Sequence, residues 1–472
     1  MSAPNAAQFD RVEPATLPAG WATARIGDVL KLYNGAAFKP SQWSTSGLPI
    51  IRIQNLNKKD APFNYFDGEI NERFRVRNGD LLFAWSGTPG TSFGAHIWKG
   101  GDAWLNQHIF RVEFDRKHFD SEFLRIAINR NLNAYIAEAH GGAGLAHITK
   151  VKFESFHILL PPLPEQRRIV ARLEALQARS RRARAKLAEV PTQLAKARQS
   201  LLAAAFRGEL TAEWRKQNPK LSAADELAGW LARRFETWVA ANPKTPKARY
   251  KAPSTPTITG HEELTETWTL VGPEQVAQCD SHSLGIGPFG SDLKVADYRE
   301  EGVPLVFVRD IRSRRFGTDA PKFITVDKAS ALGAHRVTAG DLLVTKMGEP
   351  PGDTAVYPAG RPDGVITADC IRLRPETSVT TSTYLAFALR CPFARSQIDE
   401  QSAGVAQQKI SLGRFATVAI PLAPLPEQHE IVRRLTAAFA KLDAAAAAHV
   451  AAVADLDRLD QSILARAFSG GL

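Results

Sequence analysis

Six short glycine-containing stretches mark this 472-residue chain, five of them with lysine, serine, threonine or glutamine and one, residues 141–147, with histidine. In the first half they span residues 35–41, 85–91 and 141–147, and in the second half residues 288–294, 345–352 and 402–409. A glycine-rich backbone approaches a phosphate closely and points N–H groups at it, while Lys, Ser and Thr add side-chain donors. The carboxamides of Gln407 and Gln408 fit an adenine edge, and a lysine or arginine fits guanine or phosphate. The candidate contacts are therefore Lys39, Ser41, Arg52 and Lys150 in the first half. In the second half they are Ser291, Lys294, Arg309, Lys346, Gln407, Gln408 and Lys409. Any one of these loops also reads as an ordinary turn. Their recurrence on a chain of net charge +11 points to a polyanion, with nucleic acid first among the candidates.

Other chemistries lack their carriers. No glycine-rich loop ends in Gly-Lys-Ser/Thr, and no His-Glu-x-x-His helix occurs. Glu349-Pro350-Pro351-Gly352 only resembles the Asn/Asp-Pro-Pro-Tyr/Phe tetrapeptide of an amino-methyltransferase, and Pro362-Asp363 lacks the acid-x-Lys triplet of a common nuclease site. The three cysteines, Cys279, Cys370 and Cys391, are too few and too scattered for a disulfide framework or a zinc site. No metal ligands are assigned. The expectation is a chain that binds and does not catalyse. The first twenty residues show no basic start followed by an apolar run, and the Ala-rich run at 444–454 is broken by His449 and flanked by Asp443 and Asp455. A cytoplasmic protein without membrane contact is expected.

The elements that must hold these loops are written twice. Leu163-Pro164-Glu165-Gln166 recurs as Leu425-Pro426-Glu427-Gln428, 262 positions later, and each copy is followed by about forty helix-forming residues. Apolar positions then alternate at steps of four and three, the a/d rhythm of a coiled coil. The seam runs through Ile169, Leu173, Leu176, Leu187, Leu194 and Leu201, and through Ile431, Leu435, Leu442, Leu456, Leu459 and Ile463. The register continues without a gap to Ala205-Phe206 and Ala467-Phe468. Two unrelated amphipathic helices would not share both ends and register, so the chain contains an internal duplication.

The duplication extends upstream. Trp21 and Trp268 open the two halves; Leu48–Ile53 matches Val303–Val308 as a strand segment, and Asn78-Gly79-Asp80-Leu81-Leu82 matches Ala339-Gly340-Asp341-Leu342-Leu343 as turn and strand. The offset grows from 247 at Trp to 262 at the helices, so framework segments align while intervening loops change length. Loops carry specificity and scaffolds carry shape. The expected order is a recognition domain at 15–162, a spacer helix at 163–206 and a helical bridge with basic linker at 207–262. A second recognition domain at 263–423 and a second spacer helix at 424–472 complete it. The linker proper, residues 242–256, is basic and holds four prolines, which predicts a flexible domain boundary. Pro191 predicts a kink or a break in the first helix. About 42 helical residues would span roughly 63 Å at about 1.5 Å each, which caps a spacing along DNA at about 18 base pairs. The first helix is basic on its outer faces and the second adds Asp443, Asp455, Asp457 and Asp460. This contrast suits either mutual pairing or a basic face for DNA or a partner.

Taken together, Leu160–Val170, Ala423–Val432, the two long helices ending in Ala-Phe and the Gly-Asp-Leu-Leu turns resemble the specificity subunit of type I restriction–modification enzymes over essentially the whole chain. A further mark is Leu105–Ile109 aligned with Thr367–Ile371. The resemblance implies an α+β fold: two similar mixed α/β target-recognition domains, each followed by a long α-helix, the two helices pairing as an antiparallel coiled coil. It implies a non-catalytic subunit whose domains each read one half of a split double-stranded DNA target, with the helix pair setting the gap. Two modification (methyltransferase) subunits dock on that pair, and restriction (ATP-dependent translocase/nuclease) subunits complete the assembly. No cofactor is expected on this chain; S-adenosylmethionine, ATP and Mg2+ belong to those partners. The alternatives are a DNA-binding scaffold of another multi-subunit defence assembly, a self-contained enzyme with an unfamiliar site, and a protein-only coiled-coil adaptor.

Overall fold

A computed structural model of the chain describes residues 17–58, 60–87, 91–137, 146–244, 247–256, 258, 264–402 and 408–472. Two compact units emerge. The first takes in the chain up to Ala188 together with Val450–Leu472, and the second is Glu189–His449.

Strands of the first unit are β1 (Ala22–Arg25), β2 (Lys31–Asn34), β3 (Leu48–Ile51), β4 (Asn64–Phe66), β5 (Arg75–Val76) and β6 (Leu81–Ala84), followed by β7 (Ser86–Gly87), β8 (Gly94–Ile97), β9 (Ala103–Leu105), β10 (Ile109–Glu113), β11 (Ala146–His147) and β12 (His157–Leu160). Strands of the second are β13 (Thr269–Val271), β14 (Leu284–Ile286), β15 (Val303–Val306), β16 (Phe323–Ile324) and β17 (Arg336–Val337), followed by β18 (Leu342–Thr345), β19 (Thr354–Val356), β20 (Gly364–Ile366), β21 (Cys370–Leu373) and β22 (Ile420–Leu422). Both units repeat one plan. The pair β1-β12 corresponds to β13-β22, the sheet β2-β10-β6-β8 to β14-β21-β18-β19, and the sheet β4-β3-β9-β5 to β16-β15-β20-β17. Each four-stranded sheet around β3 or β15 contains one parallel pairing, β3 with β9 and β15 with β20.

The central strands explain why Leu-Leu recurs after the Gly-Asp turns. Leu81 and Phe83 enter one core of the first unit, while Leu82 and Ala84 enter another on the opposite face. Leu342 and Val344 likewise face one core and Leu343 a second. A strand covered on both faces reads as a continuous apolar run because successive side chains alternate sides. Gly79 and Gly340 turn into these strands at φ 87° and 88°, a region open to glycine without a steric penalty. Asp80 and Asp341 accept from the backbone N–H of Arg77 and Thr338 and close the two turns identically.

Register corrects one alignment. Ile51 faces Leu105 and Val306 faces Ile366, so Leu105 is equivalent to Ile366 and Asn106 to Thr367. Pairing Leu105 with Thr367 from the sequence was one residue out, because the extra residue enters the chain after β10 and β21, not before. Gly35 also has a structural explanation. A Cβ at Gly35 or at its counterpart Gly287 would collide with the carbonyls of Asn106 or Thr367, so this glycine admits a strand crossing.

The two long helices, Leu163–Phe206 and Leu425–Ala467, run 44 and 43 residues. In the first unit, Ile169 and Leu173 from the first helix pack with Ile463, Ala467 and Phe468 against Phe123 and Leu159. In the second unit, Leu202, Ala205 and Phe206 share a core with Ile431, Leu435 and Phe439. The beginning of each helix therefore meets the end of the other, which is antiparallel pairing. Leu176, Leu187, Leu194, Leu201, Leu442 and Leu456 are half-buried along the seam. Leu459 is 50% exposed, and beside it the buried Ser180 hydroxyl donates to the half-buried Asp460 at 3.0 Å. Charge follows the pairing: Arg184 bridges Asp457 and Asp460, each at 2.7 Å, and Arg198 pairs with Asp443. The first helix passes through Pro191 without dividing, so the expected break is absent. An 18-residue window of the second helix reaches a mean hydropathy of 1.3, enough by length and composition to cross a membrane. Both ends of that helix are nevertheless built into protein cores.

Gln166 and Gln428 anchor the helix starts. Gln166 Nε2 donates to the carbonyls of His118 and Pro161, and its Oε1 accepts from Asp120 N–H. Gln428 Nε2 donates to the carbonyls of Val379 and Ala423, and its Oε1 accepts from the Thr380 hydroxyl. Both side chains are buried. Their neighbours differ. Glu165 stays near the surface with Arg168, whereas Glu427 is buried and accepts from Thr211, Arg215 and Trp268.

That contact ties the bridge to the second unit. Helix Ala223–Ala241 docks there through Trp230 Nε1 on the Gln275 carbonyl and Arg234 on the Glu274 carbonyl, both at 3.0 Å. The expected flexible linker at 242–256, of which residues 245 and 246 lie outside the described residues, is held at Tyr250 and Ser254. Tyr250 packs edge-on against Phe235 and Trp238, and Ser254 N–H donates to Glu274 at 2.7 Å. Aromatic burial outweighs its proline-rich composition, and the boundary between compact units falls inside the long helices instead.

Replacing Gln428 with Leu leaves two carbonyls and one hydroxyl buried without partners, at about 1–3 kcal/mol each. Urea unfolding is expected to show a loss of about 3 kcal/mol or more, with Thr380→Val losing about 1 kcal/mol. Leu173→Asp and Leu435→Asp, both at fully buried positions, are expected to lose several kcal/mol each through an unpaired buried carboxylate. Wild-type unfolding midpoints in these variants would contradict the packing described.

Candidate nucleic-acid interface

The proposed contacts fall into three groups. Lys39 and Lys294 occupy equivalent exposed positions, each capping a one-turn 3-10 helix, Pro40–Gln42 or Val295–Asp297. Their backbone N–H groups donate to Gln42 and Asp297 at 2.9 and 2.8 Å, and both lysines are exposed. Ser41 lies on the same turn as Lys39, and Ser291 is exposed with its hydroxyl on Asp292.

A second group is already engaged by the protein. Lys150 Nζ donates to the Leu32 carbonyl at 3.0 Å and lies 3.6 Å from Glu154. Arg309 donates to the carbonyls of Asp319 and Ala320 and covers the Phe307 ring at 4.3 Å. Arg52 is half-buried over Trp43, 5.2 Å from its ring centroid. These guanidinium and ammonium groups order loops, and any nucleic-acid contact they make competes with that work.

The third group comes together through folding. Lys346 follows β18, and the segment Gln408-Lys409 returns to it: Met347 bridges Lys409, and Gly348 N–H donates to the Gln408 carbonyl at 3.3 Å. Lys346 Nζ donates to the Ala368 carbonyl at 3.2 Å. Gln407 lies outside the described residues, as do residues 88–90 and 141–145 of the first-half loops.

In the first unit the equivalent place holds a cluster that residue-by-residue reading passed over. Trp85 follows β6, stacks on Phe110, meets His147 edge-on at 4.6 Å and lies 5.3 Å from His108. Its indole N–H donates to Asn34 at 3.3 Å, and Gln107 contacts the His108 ring at 3.3 Å. Burial, then the nearby His147 and Arg52, push the His108 pKa below the ordinary imidazole value. The available signal was the flanking glycine-rich stretches, since 85–91 begins and 141–147 ends at this cluster. What brought Trp85, His108 and His147 together was sheet pairing, β7 with β11 and β6 with β10.

Comparison with known proteins places this geometry in a family. Residues 18–192 and 336–448 match the type I restriction modification DNA specificity domain. The chain is similar to the type I restriction enzyme EcoBI specificity subunit of Escherichia coli, 27% identical, with 96% of this chain and 86% of that protein covered. It is also similar to the StySPI specificity subunit of Salmonella potsdam, 24% identical, covering 97% of this chain and 90% of that protein. Among solved structures, the HsdS subunit from Thermoanaerobacter tengcongensis shares the fold at TM-score 0.59 and 20% identity, covering 97% of this chain and 99% of that one. A chain from a structure on complex assembly and conformational transition of the type I R-M system aligns at TM-score 0.63 and 22% identity, covering 97% of this chain and all of that one.

An NMR titration of His108 is expected to give a midpoint below that of free histidine, about 6.5, and Arg52→Gln is expected to raise it partway. The sign for stability follows. Below the unfolded value the unfolded chain binds more protons, so this neutral, half-buried ring makes stability fall as pH drops through and below about 6.5. A His108 midpoint at or above the free value would contradict the described environment.

Proposed function

Since the chain belongs to the type I restriction–modification DNA specificity family, we propose that its two units each read one half of a bipartite double-stranded DNA target, with the paired long helices fixing the gap. The observation that carries this reading is the repetition of one strand plan in both units with unlike side chains at equivalent loops. Identical scaffolds set identical placement, and unlike loops allow two different half-sites, as spaced half-sites are read by dimeric proteins. Net positive charge and exposed lysines such as Lys39 and Lys294 supply phosphate contacts and affinity, while loop side chains facing the grooves supply sequence choice.

The paired helices also serve as the dock for partners. Arg167, Arg172, Arg179, Arg181, Arg182, Lys186 and Lys196 are exposed and form no ion pair among the described residues. Two modification subunits carrying S-adenosylmethionine bind this assembly and methylate adenine, and restriction subunits supply ATP- and Mg2+-dependent translocation and cleavage. This chain contributes address, not chemistry.

The deciding experiment is co-expression with the methyltransferase encoded nearest to it, followed by mapping of methylated adenines across the host genome. A split motif that vanishes when this chain is deleted is the expected result. Methylation that persists, or the absence of any split motif, would refute the reading. In DNA-binding titrations of the assembled complex, Lys294→Ala is expected to lower the slope of log affinity against log salt by about 0.9. Lys150→Ala should leave the slope nearly unchanged, because that ammonium is held by Leu32 and Glu154.

A further inference from the structure

We infer that base identity is read at one structural address in each unit, just beyond the central strand: by Trp85, His108 and His147 in the first and by Lys346, Asp369 and Lys409 in the second. The inference rests on the half-site reading above and deepens it by naming the residues and the bases they suit.

The backbone at the two addresses is the same. Ile148 N–H donates to the Trp85 carbonyl and Ile410 N–H to the Lys346 carbonyl, both at 3.0 Å. Ser86 faces His147 as Met347 faces Lys409. Ala84 faces Ile109 as Thr345 faces Cys370, which puts His108 and Asp369 in matching places, each one residue before the returning strand. Where the scaffold needs a particular side chain, the duplication keeps it, as Gln166 and Gln428 show. At this address it keeps the backbone and exchanges the chemistry completely: an indole and two imidazoles against an ammonium, a carboxylate and another ammonium. Packing demands do not produce such an exchange, whereas two different ligands do.

These groups also retain bonding capacity. The His147 ring is exposed and forms no hydrogen bond among the described residues. Among those residues neither the Asp369 carboxylate nor the Lys409 ammonium has a hydrogen bond or ion pair, and Lys346 places one of its three protons on Ala368. Lysine donates to guanine O6 and N7, and an aspartate accepts from the cytosine N4 amino group, so the second set suits a G·C pair. The first set offers an apolar indole for a thymine methyl group, and an exposed His147 imidazole that presents one donor and one acceptor, with His108 positioned beside it. It suits an A·T pair.

The test uses the complete assembly and the methylation map. Lys346→Ala, Asp369→Asn and Lys409→Ala are expected to relax discrimination about tenfold at one or two G·C positions of one half-site, leaving the other half and the gap intact. Trp85→Phe, His108→Gln and His147→Ala are expected to do the same at A·T positions of the opposite half. Lys409 and His147 are exposed, so their alanine variants fold normally and keep the test decisive if Trp85→Phe is unstable. A wild-type split motif with base preference unchanged in all these variants would overturn the inference while leaving the half-site reading standing. A relaxed position in both halves from one set would also overturn it. Failure of the wild-type assembly to yield a split motif would remove the half-site reading itself.

Discussion

Everything else in this molecule depends on a carboxamide buried at the start of each long helix. Gln166 and Gln428 satisfy two carbonyls and one donor from the loops beneath them, in the same geometry twice. A buried glutamine with all of its main bonding directions filled admits one orientation of helix against sheet, since any rotation strands polar groups in the core. The seating of each helix start on its own unit is therefore set by these hydrogen bonds.

Helix pairing follows from that anchoring. Apolar contacts are concentrated where each helix leaves or re-enters a unit, at Ile169, Leu173, Ile463 and Ala467 and at Leu202, Phe206, Ile431 and Leu435. Along the middle the seam is thinner, rich in alanine and half-buried leucine, and the ion pairs of Arg184 and Arg198 with Asp457, Asp460 and Asp443 supply direction. Exposed pairs of this kind contribute little stability. Their value is in register, because Arg184 meets Asp457 and Asp460 while Arg198 meets Asp443 only in this alignment of the two helices. Pro191 sits in this thin stretch, where losing one helix hydrogen bond disturbs no core.

The repeated scaffold separates affinity from choice. One strand plan presents the same loop ends twice, and what those ends carry differs in kind. A protein built this way changes the loops of one unit without touching its helix start, since the loop side chains lie outside the bonds that hold helix to sheet.

Much of this was legible in residues 163–206 and 425–467, because a coiled-coil rhythm and a Pro-Glu-Gln helix start are local patterns with few other causes. The Gly-Asp-Leu-Leu turns likewise announced strands covered on both faces. Other features required tertiary structure. Glu165 and Glu427 look identical in sequence, yet only the second is buried, because Thr211, Arg215 and Trp268 arrive from distant segments to pair with it. The linker looked flexible, yet Tyr250 found two aromatic partners. Lys150 and Arg309 looked free, yet backbone carbonyls from folded loops hold them. The Trp85–His108–His147 cluster joins residues up to 62 positions apart through strand pairing that no local pattern specifies. Periodicity, composition and repeated motifs were enough to establish the duplication, the helices and the class of partner, since each is written locally along the chain. Tertiary structure alone decided which side chains remain available to meet that partner, because availability depends on long-range hydrogen bonds.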